Sequence, residues 1–365
     1  MSRLALFTKS LMNISRRIFV LMSLPFSLSM NRQTSQSDAS AIDALFREYD
    51  RANVPGASVI VIKEGKILFR KAYGLANLED KIPSTTQTNY RLASLTKQFT
   101  AMAIMILAER KQLALTNRLT DFFPDFPIYA EQIAVRHLLN HTSGLIDYED
   151  LIPSNATVPL KDRDVLALLV KQDHTYFAPG TRFRYSNSGY ALLALIVEAI
   201  SKTSFAQFLK RNIFDPLRMT DTVAYEKGVS TVRHRAYGYT QRGNSFERTD
   251  QSLTSSVLGD GGIYSSVEDL FKWDRALYTT RLVSHETLAE IFTPRVSTDE
   301  PDTGYGYGWF ISQRAGWKTV WHYGETIGFS TAIERIPDQR LTVIILVNRN
   351  EANPTQLARR IIDIL

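Results

Sequence analysis

Residues 92–107 read Leu-Ala-Ser-Leu-Thr-Lys-Gln-Phe-Thr-Ala-Met-Ala-Ile-Met-Ile-Leu, and the chain is read outward from them. Leu95 to Leu113 contains no Gly or Pro and is apolar on most sides, which predicts a largely buried helix. Ser94 and Lys97 stand three apart at its start and so share a face. A hydroxyl at a helix N-terminus sits where free N–H groups favour developing negative charge. Serine is a poor nucleophile without a base beside it, and lysine becomes a base when burial lowers its pKa. The apolar turns after Lys97 offer that burial. Taken alone, the four residues Ser94 to Lys97 equally fit a helix cap followed by a surface lysine.

Two later stretches carry similar chemistry. Tyr185-Ser-Asn187 follows Pro179-Gly180, and residues two apart in an extended segment point the same way. Tyr185 can relay protons beside a cation, and Asn187 can orient a carbonyl. Trp321-His-Tyr-Gly-Glu325 ends a strand-like run. There His322 can donate a hydrogen bond or shuttle a proton. Gly324 would let a substrate backbone approach closely. The amides of Glu325 and Ser94 could form an oxyanion hole. Each stretch by itself also has a purely structural reading.

Around these stretches the chain alternates in character. Ser37–Asn53 has helical spacing, and Ala57–Lys63 with Lys66–Ala72 reads as a β-hairpin across Glu64-Gly65. Residues 110–304 are mainly short helical patterns broken by Pro and Gly, the clearest at Gly189–Ile200. Tyr307–Ser312, Lys318–Tyr323, Gly328–Ile336 and Leu341–Asn348 are strand-like, and Pro354–Ile364 closes as an amphipathic helix. The expected fold is α/β in the α+β sense. An antiparallel sheet is built from both chain ends (37–109 plus 305–365) and flanked by helices, with a mainly helical insertion at 110–304.

The 365 residues include 43 Lys+Arg, 37 Asp+Glu and no Cys. The composition excludes a disordered, fibrous or disulfide-stapled chain. Five of the positive residues, and no acidic one, fall in residues 1–36, so the remainder is nearly neutral and no nucleic-acid partner is expected. Residues 1–36 themselves read as an export signal and linker. A positive region ends at Arg16-Arg17 and a short apolar run follows. Ser15-Arg-Arg-Ile-Phe-Val20 resembles a twin-arginine motif. The expected location is periplasmic or extracellular, with membrane anchoring if the leader is retained and no stable span in the mature chain. His137 and His141 are four apart but lack an H-E-x-x-H glutamate, so no metal is expected. Gly304-Tyr-Gly-Tyr-Gly308 is not a nucleotide fingerprint, and no G-x-S-x-G is present. No cofactor is expected.

Ser-x-x-Lys, Tyr-x-Asn and a late strand with His-x-Gly occur in that order. With Leu138-Leu-Asn-His-Thr-Ser-Gly-Leu145, Phe177-Ala-Pro-Gly180, Ile213-Phe-Asp-Pro-Leu217 and Gly261-Gly262, the chain from Ile42 to Ile364 resembles the class C β-lactamase-like serine hydrolases. That superfamily includes penicillin-binding proteins, D,D-peptidases, D-aminopeptidases and carboxylesterases. The resemblance implies that Ser94 forms an acyl-enzyme and that Lys97 and Tyr185 share the proton work, Tyr185 deprotonating Ser94 with help from the Lys97 charge and then activating the deacylating water. Asn187 would hold Lys97 and the substrate amide, and His322 would replace the lysine of the K-T-G triad. The oxyanion would rest on the Ser94 and Glu325 amides, with Tyr323 and Gly324 against the substrate. A fixed cation and a short hydroxyl are therefore missing, which favours an esterase or peptidase over an efficient β-lactamase. The substrate would be a small molecule, peptide or cell-wall-derived compound. The alternative is a non-hydrolytic, penicillin-recognising sensor.

Overall fold

The computed structural model describes residues 35–365, so the expected leader lies outside the described residues save Ser35 and Gln36. These two already belong to the first helix, α1 (Gln36–Ala44), whose N-cap is Ser35. The helix is shorter than the expected 37–53, but Phe46 and Tyr49 beyond it remain fully buried. Strands β1 (Ala57–Lys63) and β2 (Lys66–Tyr73) form the expected hairpin, and α2 (Thr96–Glu109) follows. The middle of the chain contributes α3 (Asn187–Ser201) and α4 (Val267–Ala276). Then come β3 (Val296–Ser297), β4 (Thr303–Tyr305), β5 (Phe310–Arg314), β6 (Trp317–Thr326), β7 (Phe329–Ile336) and β8 (Leu341–Val347). The helix α5 (Pro354–Ile364) closes the chain.

The eight strands form one antiparallel sheet in the order β3-β4-β5-β6-β7-β8-β1-β2. The first hairpin therefore joins the last strand, with Ala57 opposite Val347 and Lys63 opposite Leu341. This is the sheet built from both chain ends. Its start lies earlier than the expected residue 305, because β3 and β4 fall inside the stretch read as helical.

Both sheet faces are covered, which is why β1 and β8 are continuous apolar runs. Val59, Val61, Val343 and Ile345 point to one side, where Ile42, Phe46, Ala358 and Ile361 of the terminal segments cover them. Ile60, Ile62, Ile344 and Leu346 point to the other, into a larger core with Phe99 of α2 and Trp273 of α4. A buried ion pair ties α4 to the sheet: Arg335 Nε donates to Asp274 Oδ1 at 2.8 Å, and the Thr342 hydroxyl donates to the same oxygen. Among the described residues no single helix is long and apolar enough to cross a membrane.

Candidate active site

Ser94 sits in a short 3-10 turn, Ala93–Leu95, directly ahead of α2. Ala93 adopts φ 49°, a left-handed conformation that is strained for a residue with a side chain. The buried residues of α2 run unbroken from Thr96 to Leu107, so Lys97 is enclosed from its first turn. Its Nζ donates to Ser94 Oγ at 3.0 Å, to Asn187 Oδ1 at 2.8 Å and to the Asp260 carbonyl at 3.0 Å. Burial pulls the Lys97 pKa down to about 8, with Asp260, Asp147 and Glu149 opposing that shift. The expected Ser94–Lys97 pairing is thus present as a direct hydrogen bond.

Asn187 is the first residue of α3, and the cap of that helix is Ser186, whose Oγ accepts from the Gly189 amide. The Asn187 side chain is therefore free for other partners. Its Oδ1 faces Lys97 and its Nδ2 donates to Glu149 Oε1 at 3.0 Å. The expected contact of Asn187 with Lys97 is thus present, and Nδ2 keeps a second proton beside its bond to Glu149.

Tyr185 stands over Lys97, whose Nζ lies 4.8 Å from the ring centre. The Tyr185 hydroxyl is buried without a hydrogen-bond partner, and burial holds its pKa well above the ordinary phenol value, while the neighbouring Ser94 hydroxyl opposes the shift. The ring packs 4.3 Å from that of His141. His141 is buried at φ 60°, and its Nδ1 accepts from the Ser186 amide. That places His141 among the tyrosines, while His137 Nδ1 accepts from the Ala134 amide in its own helical turn. Among the described residues no cluster of metal-binding side chains occurs.

His322 is buried, and burial, reinforced by the Lys97 charge, pushes its pKa down to about 3. Its Nδ1 lies 2.6 Å from the Tyr323 carbonyl, which can only accept, so Nδ1 carries the proton. Nε2 then accepts from the Tyr305 hydroxyl at 3.1 Å. Both ring nitrogens are committed to the protein. The expectation that His322 donates to substrate or shuttles a proton is not met in this arrangement.

The role expected for Gly324 also changes. A Cβ there would lie 2.3 Å from the Leu92 carbonyl, 2.4 Å from Thr331 Oγ1 and 3.0 Å from the Ser94 amide nitrogen. The backbone that approaches Gly324 is the nucleophile turn itself, not a substrate. Beyond Trp321 the pairing of β5 with β6 stops, which leaves His322–Thr326 of β6 without a strand on that edge. Glu325 and Ser94 line one open cleft of about 300 Å³, together with Arg91, Tyr148, Glu149, Asn187, Thr254 and Asp260. Tyr323, 41% exposed, stacks on Phe310 and Trp321.

Glu149, Tyr305 and His141 had no catalytic signal in the sequence. Glu149 belongs to an acidic run, Asp147-Tyr-Glu-Asp150, that follows the His141-Thr-Ser-Gly turn. Only the path of that loop brings it to Asn187. Asp260 accepts from Lys97 Nζ with its carbonyl and from the Tyr148 hydroxyl with its carboxylate. Chemically, the site joins a hydroxyl, a desolvated amine and a phenol at the edge of an open strand. That combination suits acyl transfer.

Known proteins resemble this chain in sequence and in fold. The sequence profile of the Beta-lactamase family matches residues 42–365. Penicillin-binding protein 4* of Bacillus subtilis is 33% identical over 87% of this chain and 73% of its own length. Protein flp of Staphylococcus aureus is 28% identical over 87% of this chain, which spans 64% of that relative. The octameric penicillin-binding protein homologue from Pyrococcus abyssi superposes with a TM-score of 0.76 at 29% identity, covering 88% of this chain and 75% of that one.

Proposed function

Since the chain belongs to the Beta-lactamase family, a family of serine hydrolases, we propose that it cleaves an ester or amide bond through a Ser94 acyl-enzyme, with Lys97 as the first base. The observation that carries this reading is the 3.0 Å contact from Lys97 Nζ to Ser94 Oγ on an enclosed amine of depressed pKa. With a pKa of about 8, roughly one lysine in ten is neutral at pH 7 and able to take the hydroxyl proton. Ser94 Oγ attacks the carbonyl carbon as its proton passes to Lys97. The oxyanion rests on the Ser94 and Glu325 amides. Tyr185, kept in its phenol form by burial, gives its proton to the leaving group and recovers one through Lys97. Water, deprotonated by the same pair, then releases the acyl group.

Ester and peptide substrates are favoured over β-lactams. His322 is neutral, so the site lacks the fixed cation that would meet a β-lactam carboxylate. Tyr323 replaces a short hydroxyl with an exposed ring. We also read the protein as exported, on the basic-then-apolar leader before residue 36.

The test compares turnover of p-nitrophenyl butyrate with that of a chromogenic cephalosporin, using Ser94→Ala as the blank. Ester turnover should dominate, and the variant should lose about 1,000-fold or more while remaining folded. Undiminished turnover in Ser94→Ala would overturn the reading. A burst of acylation without turnover would favour the sensor instead.

A further inference from the structure

Tyr185 has to aim its hydroxyl at a leaving group beside Ser94, yet no hydrogen bond holds that hydroxyl. Its position must come from ring packing and from the backbone, and both lead to His141. The His141 ring lies 4.3 Å from the phenol ring, nearer than those of His322 at 6.2 Å and Phe310 at 6.4 Å. The backbone is gripped on either side of Tyr185. The His141 carbonyl accepts from the Arg184 amide at 3.0 Å, and His141 Nδ1 accepts from the Ser186 amide at 3.0 Å.

This grip is held against local cost. His141 sits at φ 60°, a conformation open to few residues with side chains. Because Nδ1 accepts from an amide, the proton is on Nε2, and that nitrogen is buried with no hydrogen-bond partner. Burial, reinforced by the Lys97 charge, keeps the imidazole neutral and its Nδ1 lone pair available. The residues that follow are anchored without His141. Asn187 is held by Lys97, and the Ser188 hydroxyl donates to the Ile146 carbonyl and accepts from the Tyr148 amide, both at 2.8 Å. Slack introduced at His141 therefore falls on residues 184–186 and on the phenol between them.

We propose that His141 is a positioning residue for the reaction at Ser94: by clamping the amides on both sides of Tyr185, it aims the phenol at the leaving group. This rests on the hydrolase reading, in which Tyr185 protonates that group. Proton delivery matters most for a poor leaving group. Methoxide needs the proton, while p-nitrophenolate departs with little help. Loss of the clamp is therefore selective between esters, which a general loosening of the site is not.

The experiment compares kcat/KM for methyl butyrate and for p-nitrophenyl butyrate in the full chain, in His141→Gly, in His141→Asn, in Tyr185→Phe, and in Tyr185→Phe combined with His141→Gly. Glycine and asparagine both accept the left-handed backbone, but only asparagine restores an acceptor on Cγ, where Nδ1 is attached. In His141→Gly the methyl ester should lose at least about tenfold more than the p-nitrophenyl ester, and His141→Asn should recover most of that difference. On top of Tyr185→Phe, His141→Gly should add less than about threefold. Equal losses on the two esters, no loss, asparagine no better than glycine, or the full glycine effect in the absence of the phenol overturns the proposal. Should glycine unfold the chain, His141→Ala is read by the same ratio; if neither folds, His141 serves the fold and the proposal fails. Failure of the underlying reading has a separate signature: turnover would persist in Ser94→Ala, or Tyr185→Phe would leave the ratio between the two esters unchanged.

Discussion

Lys97 sets the pH at which Ser94 can react. Below its pKa the amine is an ammonium with no lone pair to receive the serine proton; above it the amine is neutral. Acylation should therefore rise with pH through a midpoint of about 8 and level off beyond it, as read from kcat/KM for p-nitrophenyl acetate. His322, held down to about 3, should add no inflection in the ordinary histidine range near 6.5. An inflection there that disappears in His322→Gln would contradict the buried, neutral placement. Ser94, Lys97, Tyr185 and Asn187 were legible in the sequence because their motifs occur together and in the order of the family they resemble, whereas each spacing alone also fits a structural role. Glu149 and Tyr305 were not. Tyr305 reaches the site at the end of β4 and Glu149 in the turn Tyr148–Leu151, and both placements follow from long-range packing, which no local period encodes. His322 was legible as a site residue, but its tautomer depends on the Tyr323 carbonyl and the Tyr305 hydroxyl, which only the fold supplies.

Gly324 on β6 is where strand and nucleophile turn meet. Gly324→Ala would force a methyl group against the Leu92 carbonyl and Thr331 Oγ1, two neighbours that the sheet and turn hold in place. A loss of about 1–3 kcal/mol is expected in urea denaturation, with a larger proportional loss of acylation rate because the turn that moves carries Ser94. Wild-type stability together with wild-type acylation would show that the turn can yield. Long elements were read well: the hairpin, α2, the last two strands and α5 have many residues on which periodicity acts. Strands β3 and β4, of two and three residues, are too short for any period and are defined by pairing with the next strand. Helix α3 starts at Asn187, two residues ahead of the expected Gly189, because Ser186 takes the cap while Lys97 claims the Asn187 side chain.

Across the whole molecule, the Arg335–Asp274 pair joins the helical middle of the chain to the sheet. Arg335 is also surrounded by the Tyr278, Phe292 and Trp309 rings, so its charge has no route to water. Asp274→Asn keeps the shape and removes the compensating charge. It should cost about 3–5 kcal/mol by chemical denaturation, whereas Lys210→Ala at the exposed pair with Asp215 should cost well under 1 kcal/mol. A small effect of Asp274→Asn would mean that water reaches Arg335. The pairing of Ala57 with Val347 has a consequence for synthesis. When the first hairpin leaves the ribosome, the strand it must pair with has not yet been translated. The apolar edge of β1 stays open through nearly the whole of elongation, so the nascent chain depends on delay or on a holding chaperone, and ribosome stalling before residue 341 would leave a polypeptide primed to aggregate.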